Sequence, residues 1–151
     1  SKITIRDIPD HPGVAAKVFE TLGSKNIYVN MIVQSTGQGE RASISFTVLK
    51  SDFKEALDIC NGLQGELEAS SITSKENIAI VSAVGVGMLS SYGVAGKMFD
   101  VLSKHGVNIE MISTSEIGIS CVIDDMYSEL AVKAIHKAFL EEIEAGQGMV
   151  S

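Results

Sequence analysis

Gly13-Val14-Ala15-Ala16-Lys17-Val18-Phe19-Glu20-Thr21-Leu22 returns eighty residues later as Gly93-Val94-Ala95-Gly96-Lys97-Met98-Phe99-Asp100-Val101-Leu102. Beyond these segments, Met31-Ile32 falls on Met111-Ile112 and Ser35 on Ser115. Nine identities therefore lie in one gap-free window of 23 positions, from Gly13 to Ser35. Most mismatches in it are conservative, such as Glu20 on Asp100 and Val29 on Ile109. Past the window the second copy runs five residues shorter, because Ile44-Ser45 realigns with Ile119-Ser120. Two copies of one supersecondary unit explain this self-similarity.

Each copy reads alike. Ile3-Thr4-Ile5 alternates as a strand does, and so does 78–84. A turn follows, built on Pro9, Pro12 and Gly13 in the first copy and on Gly85, Gly87 and Gly93 in the second. An amphipathic helix comes next, with Val14, Val18 and Leu22 on one face and Val94, Met98 and Leu102 repeating the stripe. Asp10 or His11 is the expected N-cap of the first such helix, and Ser91 that of the second. Strands are expected over 27–35 and 42–49, joined by the polar turn Gly37 to Arg41, and over 107–115 and 117–123, joined near Gly118. Helices are expected over 52–63, opened by Ser51 and carrying Phe53, Ala56, Leu57 and Cys60, and over 128–142, carrying Leu130, Ala134, Ile135, Ala138 and Phe139. A last strand, 66–72, closes the first copy.

The order is βαββαβ twice. This predicts an α+β chain of two tandem ferredoxin-like domains, 1–74 and 75–151, each a four-stranded antiparallel sheet with two helices on one face. Behind the last helix Gly146-Gln147-Gly148 makes a poor strand. The second copy is thus expected to be short of its fourth strand: either the tail 145–151 adds a very short one or a segment upstream of Ser1 fills that edge, the second being preferred. Together with a start already inside a strand, this reads as the mark of a fragment; a separately translated chain is the alternative.

Composition narrows the function. A net charge of −7 and the lack of any Lys/Arg cluster count against a nucleic-acid binder. An RNA-binding sheet would also need several exposed aromatics on its central strands, and Tyr28 stands alone over 27–35. No apolar run reaches the ~20 residues of a membrane span, and the N-terminus has no secretory pattern. Cys60 and Cys121 form no CxxC pair and lie in apolar stretches, so they read as buried free thiols of a reduced, cytoplasmic protein rather than as a metal site or disulfide.

Catalytic patterns are weak. His11, His105 and His136 have no nucleophile set beside them by a recognisable motif, and there is no GxxxxGK[ST] loop. Gly85-Val86-Gly87 fails as a dinucleotide fingerprint because Ser90 stands where the third glycine belongs. Asp124-Asp125 and Glu141-Glu142 read as solvated charge. What remains is the turn Asp10-His11-Pro12-Gly13-Val14-Ala15, where a carboxylate precedes a glycine that opens a helix. Backbone N–H groups at a helix start accept a carboxylate, and an Asp beside them can hold an ammonium. That combination suits a free amino acid, although Pro12-Gly13 making a plain turn with Asp10 as its cap accounts for the same residues.

Three stretches carry a family resemblance: Asp10 to Phe19, Asn30-Met31-Ile32-Val33-Gln34, and above all Val107-Asn108-Ile109-Glu110-Met111-Ile112-Ser113-Thr114-Ser115-Glu116-Ile117. From Ile3 to Phe139 the chain closely resembles the regulatory region of aspartate kinases, a pair of ACT domains. The D-x-P-G turn is common to many ACT domains, and the N-I-E-x-I-S-T-S-E run is far more specific. The resemblance implies feedback control by threonine and/or lysine, with effectors held where ACT units of a homodimer meet. Carried over, the effector site is Asp10, Gly13, Val14, Ala15 and Gln34, completed by Asn108 and Ile109 of a second-copy unit. A pseudo-equivalent second site comprises Ser90, Ser91, Gly93, Val94 and Ala95 against Tyr28 and Val29. There Tyr28 replaces Asn108, and Ser91-Tyr92 replaces the acidic, Pro-containing turn, so one effective site is expected. Threonine is preferred to lysine, because a short hydroxyl side chain suits a compact pocket and the turn offers no second acid for a lysine ammonium.

The resemblance brings no cofactor and no catalytic residue; its partner is an aspartate kinase catalytic domain or α subunit. Two rival readings stand beside it. One is a structural dimerisation module with a vestigial turn, and the other is an ACT pair serving another enzyme or a transcription regulator.

Overall fold

The computed structural model describes residues 1–84, 93–115 and 118–145. The chain forms two compact units, Ser1–Asn77 and Ile78–Ser151.

In the first unit β1 (Lys2–Pro9) leads to α1 (Val14–Ser24), β2 (Val29–Thr36), β3 (Arg41–Val48), α2 (Phe53–Leu63) and β4 (Ser71–Lys75). The sheet order is β2-β3-β1-β4, and every pairing is antiparallel. Ile3 and Ile5 point into the core at the strand period, and Ile8 rejoins them because the register jumps between Ile5 and Ile8. That bulge sits at Asp7, whose φ is 52°. Ile44, Phe46 and Val48 line the same core from β3, and Val18 and Leu22 of α1 close over it with Phe53, Ala56 and Cys60 of α2. Phe19 meets the Phe46 ring edge-on at 5.4 Å.

In the second unit β5 (Ile78–Val84), α3 (Val94–Lys104), β6 (Ile109–Ser115), β7 (Gly118–Asp124) and α4 (Ser128–Ala145) repeat the first five elements. The order β5-β7-β6 reproduces β1-β3-β2. Val94, Met98 and Leu102 pack with Ile119, Cys121, Ile123, Ala131 and Ile135. Ile119, Cys121 and Ile123 thus stand where Ile44, Phe46 and Val48 stand in the first unit, as the five-residue realignment requires. The described residues hold two ferredoxin-like α+β units with four helices, and only the first sheet has its fourth strand among them. Residues 146–151, considered for that role, lie outside the described residues.

Several local expectations are corrected. The last strand of the first unit starts at Ser71, not at residue 66. Residues 64–68 stay wound in turns, with Leu67 N–H on the Leu63 carbonyl and Ala69 N–H on the Gln64 carbonyl. Leu67 is buried from this turn, so its apolar alternation with Ala69 mimics a strand. A 3₁₀ turn, Lys50–Asp52, precedes α2, and Asp52 rather than Ser51 takes the N-cap position. Ile27 and Val107 are buried just ahead of β2 and β6, which begin two residues later than the apolar pattern suggests. Leu130 is exposed, because Ala131 and Ile135 are the residues of α4 that face the core.

Neither Asp10 nor His11 caps α1. Gly13 holds the N-cap position at φ 95°, with no side-chain cap. The chain must enter the helix through a left-handed residue after Pro12, and glycine does this without steric cost. Gly93 holds the matching position of α3, while Ser91 lies outside the described residues.

Candidate functional site

The β1–α1 turn is tied at Asp10. Its N–H donates to the Glu40 carbonyl at 2.8 Å, fixing the turn to the β2–β3 connection. The Gln34 amide Nε2 donates to Asp10 Oδ1 at 3.3 Å, fixing the side chain to β2. Both residues are exposed. Next to them Gly13 sets the start of α1, and its carbonyl accepts the first helical bond, from Lys17 N–H at 3.1 Å. The first turn of α1 contains no acidic residue. Its opening N–H groups have no intrahelical partner and carry the positive end of the helix dipole.

The turn thus offers backbone donors, a carboxylate oxygen and a carboxamide within one short stretch. Donors of this kind hold a small carboxylate, and the acid and amide hold ammonium and hydroxyl groups. Val14 and Ala15, half-buried at the start of the helix, give the surroundings an apolar wall. A further pocket of about 190 Å³ opens beside the same helix start, lined by Pro9, His11, Gly13, Val14, Lys17 and Glu66 among others. Its walls come from the turn, α1 and the α2–β4 connection, and Lys17 bridges to Glu66 across 3.4 Å. Periodicity gave no hint of Glu66, since the strand expected there is a turn.

Within the first unit the fold brings Asp10, Gly13, Val14, Ala15 and Gln34 together. Asn108 and Ile109 adjoin one another at the entry to β6, Asn108 exposed and Ile109 half-buried against the core. They line a pocket of about 350 Å³ with Phe99, Ser103, Gly106 and Val107. Tyr28 occupies the corresponding place ahead of β2, 62% exposed, followed by half-buried Val29. Gly93, Val94 and Ala95 open α3, with Val94 buried; Ser90 and Ser91 fall outside the described residues.

Both cysteines are buried free thiols, and burial pushes each up to about 11. Among the described residues no cluster of His, Cys, Asp and Glu is arranged to hold a metal ion. No helix among them is long and apolar enough to cross a membrane.

The family model described as "ACT domain" matches residues 6–62 and again 81–139, one match in each unit. The chain belongs to the ACT domain family. Among its relatives, the aspartate kinase of Stutzerimonas stutzeri is 46% identical over 97% of this chain, and the aspartokinase of Pseudomonas aeruginosa 45% identical over 98%. The chain spans about a third of their length, 35% and 36%. Among solved structures, the regulatory subunit of aspartate kinase from Thermus thermophilus, in ligand-free form, matches with a TM-score of 0.83 and 42% identity, covering 91% of each chain. A structure of aspartokinase α and β subunits matches at 0.84 and 44%, covering 91% of this chain and 90% of that one. These ACT units therefore make up an aspartate kinase regulatory part.

Proposed function

We propose that this ACT pair senses an end-product amino acid and imposes feedback inhibition on aspartate kinase. The effector is threonine in preference to lysine, held at ACT–ACT interfaces of a homodimer in the cytoplasm. One observation carries the reading: Asp10, its carboxylate held by Gln34, stands beside a helix start whose N–H groups face no acidic side chain of their own. Asn108 and Ile109 contribute from a second-copy unit. The pseudo-equivalent set of Gly93, Val94 and Ala95 with Ser90, Ser91, Tyr28 and Val29 is a weaker site, because a phenol ring replaces the Asn108 carboxamide. Phosphotransfer belongs to a catalytic domain or α subunit. A relative solved as a regulatory subunit supports this division of labour.

Effector binding would shift the attached catalytic part by no more than its differential affinity for two arrangements of the ACT units. Couplings of this kind run to about 1–3 kcal/mol.

The test is the melting temperature of the chain with millimolar threonine, lysine, methionine or isoleucine, with Asp10→Ala as control. A ligand at a hundred times its Kd stabilises the folded state by about 2.7 kcal/mol. A rise with threonine that Asp10→Ala abolishes establishes the sensor and its site. A flat response to all four supports a dimerisation module instead.

A further inference from the structure

Five non-glycine residues among those described adopt positive φ, and three of them, Asp7 (52°), Glu40 (59°) and Glu68 (54°), gather around one side chain. That side chain is Arg41. It directly follows Glu40, and its Nη2 donates to the carbonyls of Asp7 and, at 2.8 Å, of Glu68. Left-handed backbone costs an L-residue roughly 1 kcal/mol or more. Such conformations persist where surrounding bonds over-determine them. Here the bonds are on hand: Ser70 Oγ donates to Asp7 Oδ2 at 3.0 Å, Asp7 N–H to Ser43 Oγ at 3.3 Å, and Gly37 N–H to the Arg41 carbonyl at 2.6 Å.

The cluster touches the site from below. Arg41 pairs with Pro9, the last residue before the Asp10 turn. The carbonyl that receives the Asp10 N–H belongs to Glu40. The orientation of that carbonyl depends on the left-handed φ of Glu40, which the turn Gly37 to Arg41 imposes. The α2–β4 connection, whose Glu66 walls the neighbouring pocket, is held by the same guanidinium through Glu68.

We propose that Arg41 is a positioning residue for the effector turn. By clamping the Asp7 bulge and the Glu68 carbonyl it holds the β2–β3 turn in the form that presents Glu40 to Asp10. The inference rests on reading the Asp10 turn as the amino-acid site. A planar, multi-donor guanidinium can bridge two carbonyls, whereas an ammonium does so without a fixed plane.

The test compares Arg41→Met and Arg41→Lys with the unaltered chain by threonine titration calorimetry and by amide hydrogen exchange resolved at Asp10. Losing charge-assisted bonds at a positioning side chain is expected to raise the threonine Kd about tenfold in Arg41→Met. Asp10 amide protection should fall while protection in α1 and the centre of β3 is retained. Arg41→Lys should recover part of both. Unchanged Asp10 protection in Arg41→Met overturns the proposal, whatever the ligand data show. Normal threonine binding by Arg41→Met, with binding lost in Asp10→Ala, also overturns it and leaves the effector reading intact. If the unaltered chain binds no amino acid, the effector reading and this inference fall together. Loss of protection throughout the first unit would show that Arg41 only supports the fold, and would overturn its positioning role.

Discussion

Gln34 on β2 donates its side-chain amide to Asp10 Oδ1 across 3.3 Å, joining two residues 24 positions apart beside the start of α1. The bond is exposed, so its removal should barely alter folding, within about 0.5 kcal/mol. Under the proposed function its consequence is for binding, because it aims the carboxylate that would receive an effector ammonium. Gln34→Leu should therefore melt at nearly the temperature of the parent chain and lose most of the threonine-induced rise. Gln34→Glu should do the same more completely, since it sets a second carboxylate against Asp10. Thermal melts with and without threonine check both; a full threonine response in Gln34→Glu would show that the pair has no part in binding.

The Gly-Val-Ala motif occurs in both units, but its glycines do different work. Gly13 is left-handed at φ 95°, whereas Gly93 sits at −97°, and an added Cβ meets nothing within 4 Å at either. Gly13→Ala should then cost about 1–2 kcal/mol purely through backbone strain. Gly93→Ala should lie within about 0.5 kcal/mol of neutral. Urea unfolding of the two variants separates these outcomes, and equal losses would contradict the difference in backbone geometry.

Much of this architecture is legible in the residues because periodicity and repetition are local signals. The stripes Val14-Val18-Leu22 and Val94-Met98-Leu102 lie where a 3.6-residue period puts them, with Val14 alone only half-buried, and the realignment of Ile44 on Ile119 matches equivalent core positions. Family resemblance places Asp10 and Gln34 in one site, because it carries long-range information that composition lacks. What stayed hidden depends on partners far away in sequence. Leu67 reads as a strand residue until the Leu63 carbonyl captures its N–H. Leu130 and Ala131 both suit a helix, and only the position of the sheet decides which is buried. Arg41 reads as a turn residue, because its acceptors are 34 and 27 positions away.

Gly118 is required for space rather than for φ. It pairs with Val84 across β5–β7, and a Cβ there would lie 2.8 Å from the Ala83 carbonyl oxygen and 3.1 Å from a Val84 methyl. Backbone cannot step aside without opening the ladder. Gly118→Ala should destabilise the second unit by about 1–3 kcal/mol, in the range of overpacked sites. Gly62 in α2 has open space and an ordinary helical φ, so Gly62→Ala should stabilise by up to about 1 kcal/mol. Denaturation midpoints of both variants check the contrast, and a neutral Gly118→Ala would mean that β5 and β7 separate readily at that end.

The thiols of Cys60 and Cys121 supply a pH prediction whose sign can be worked out. Burial disfavours the thiolate and raises both groups from an ordinary 9.0 to about 11 in the folded chain. Below pH 9 the thiols are protonated in folded and unfolded chains alike, and their contribution is fully present. Between pH 9 and 11 the unfolded chain releases protons that the folded chain retains, so stability falls as pH rises through that window. At pH 8 a thiol-specific reagent should leave both cysteines unmodified until denaturant is added, since reaction needs an accessible thiolate. Cys60→Ala with Cys121→Ala should flatten the alkaline loss while costing core packing at every pH. Urea unfolding at pH 8, 9, 10 and 11 reads this directly, and an equally steep alkaline decline in the doubly substituted chain would show that the loss does not come from these thiols.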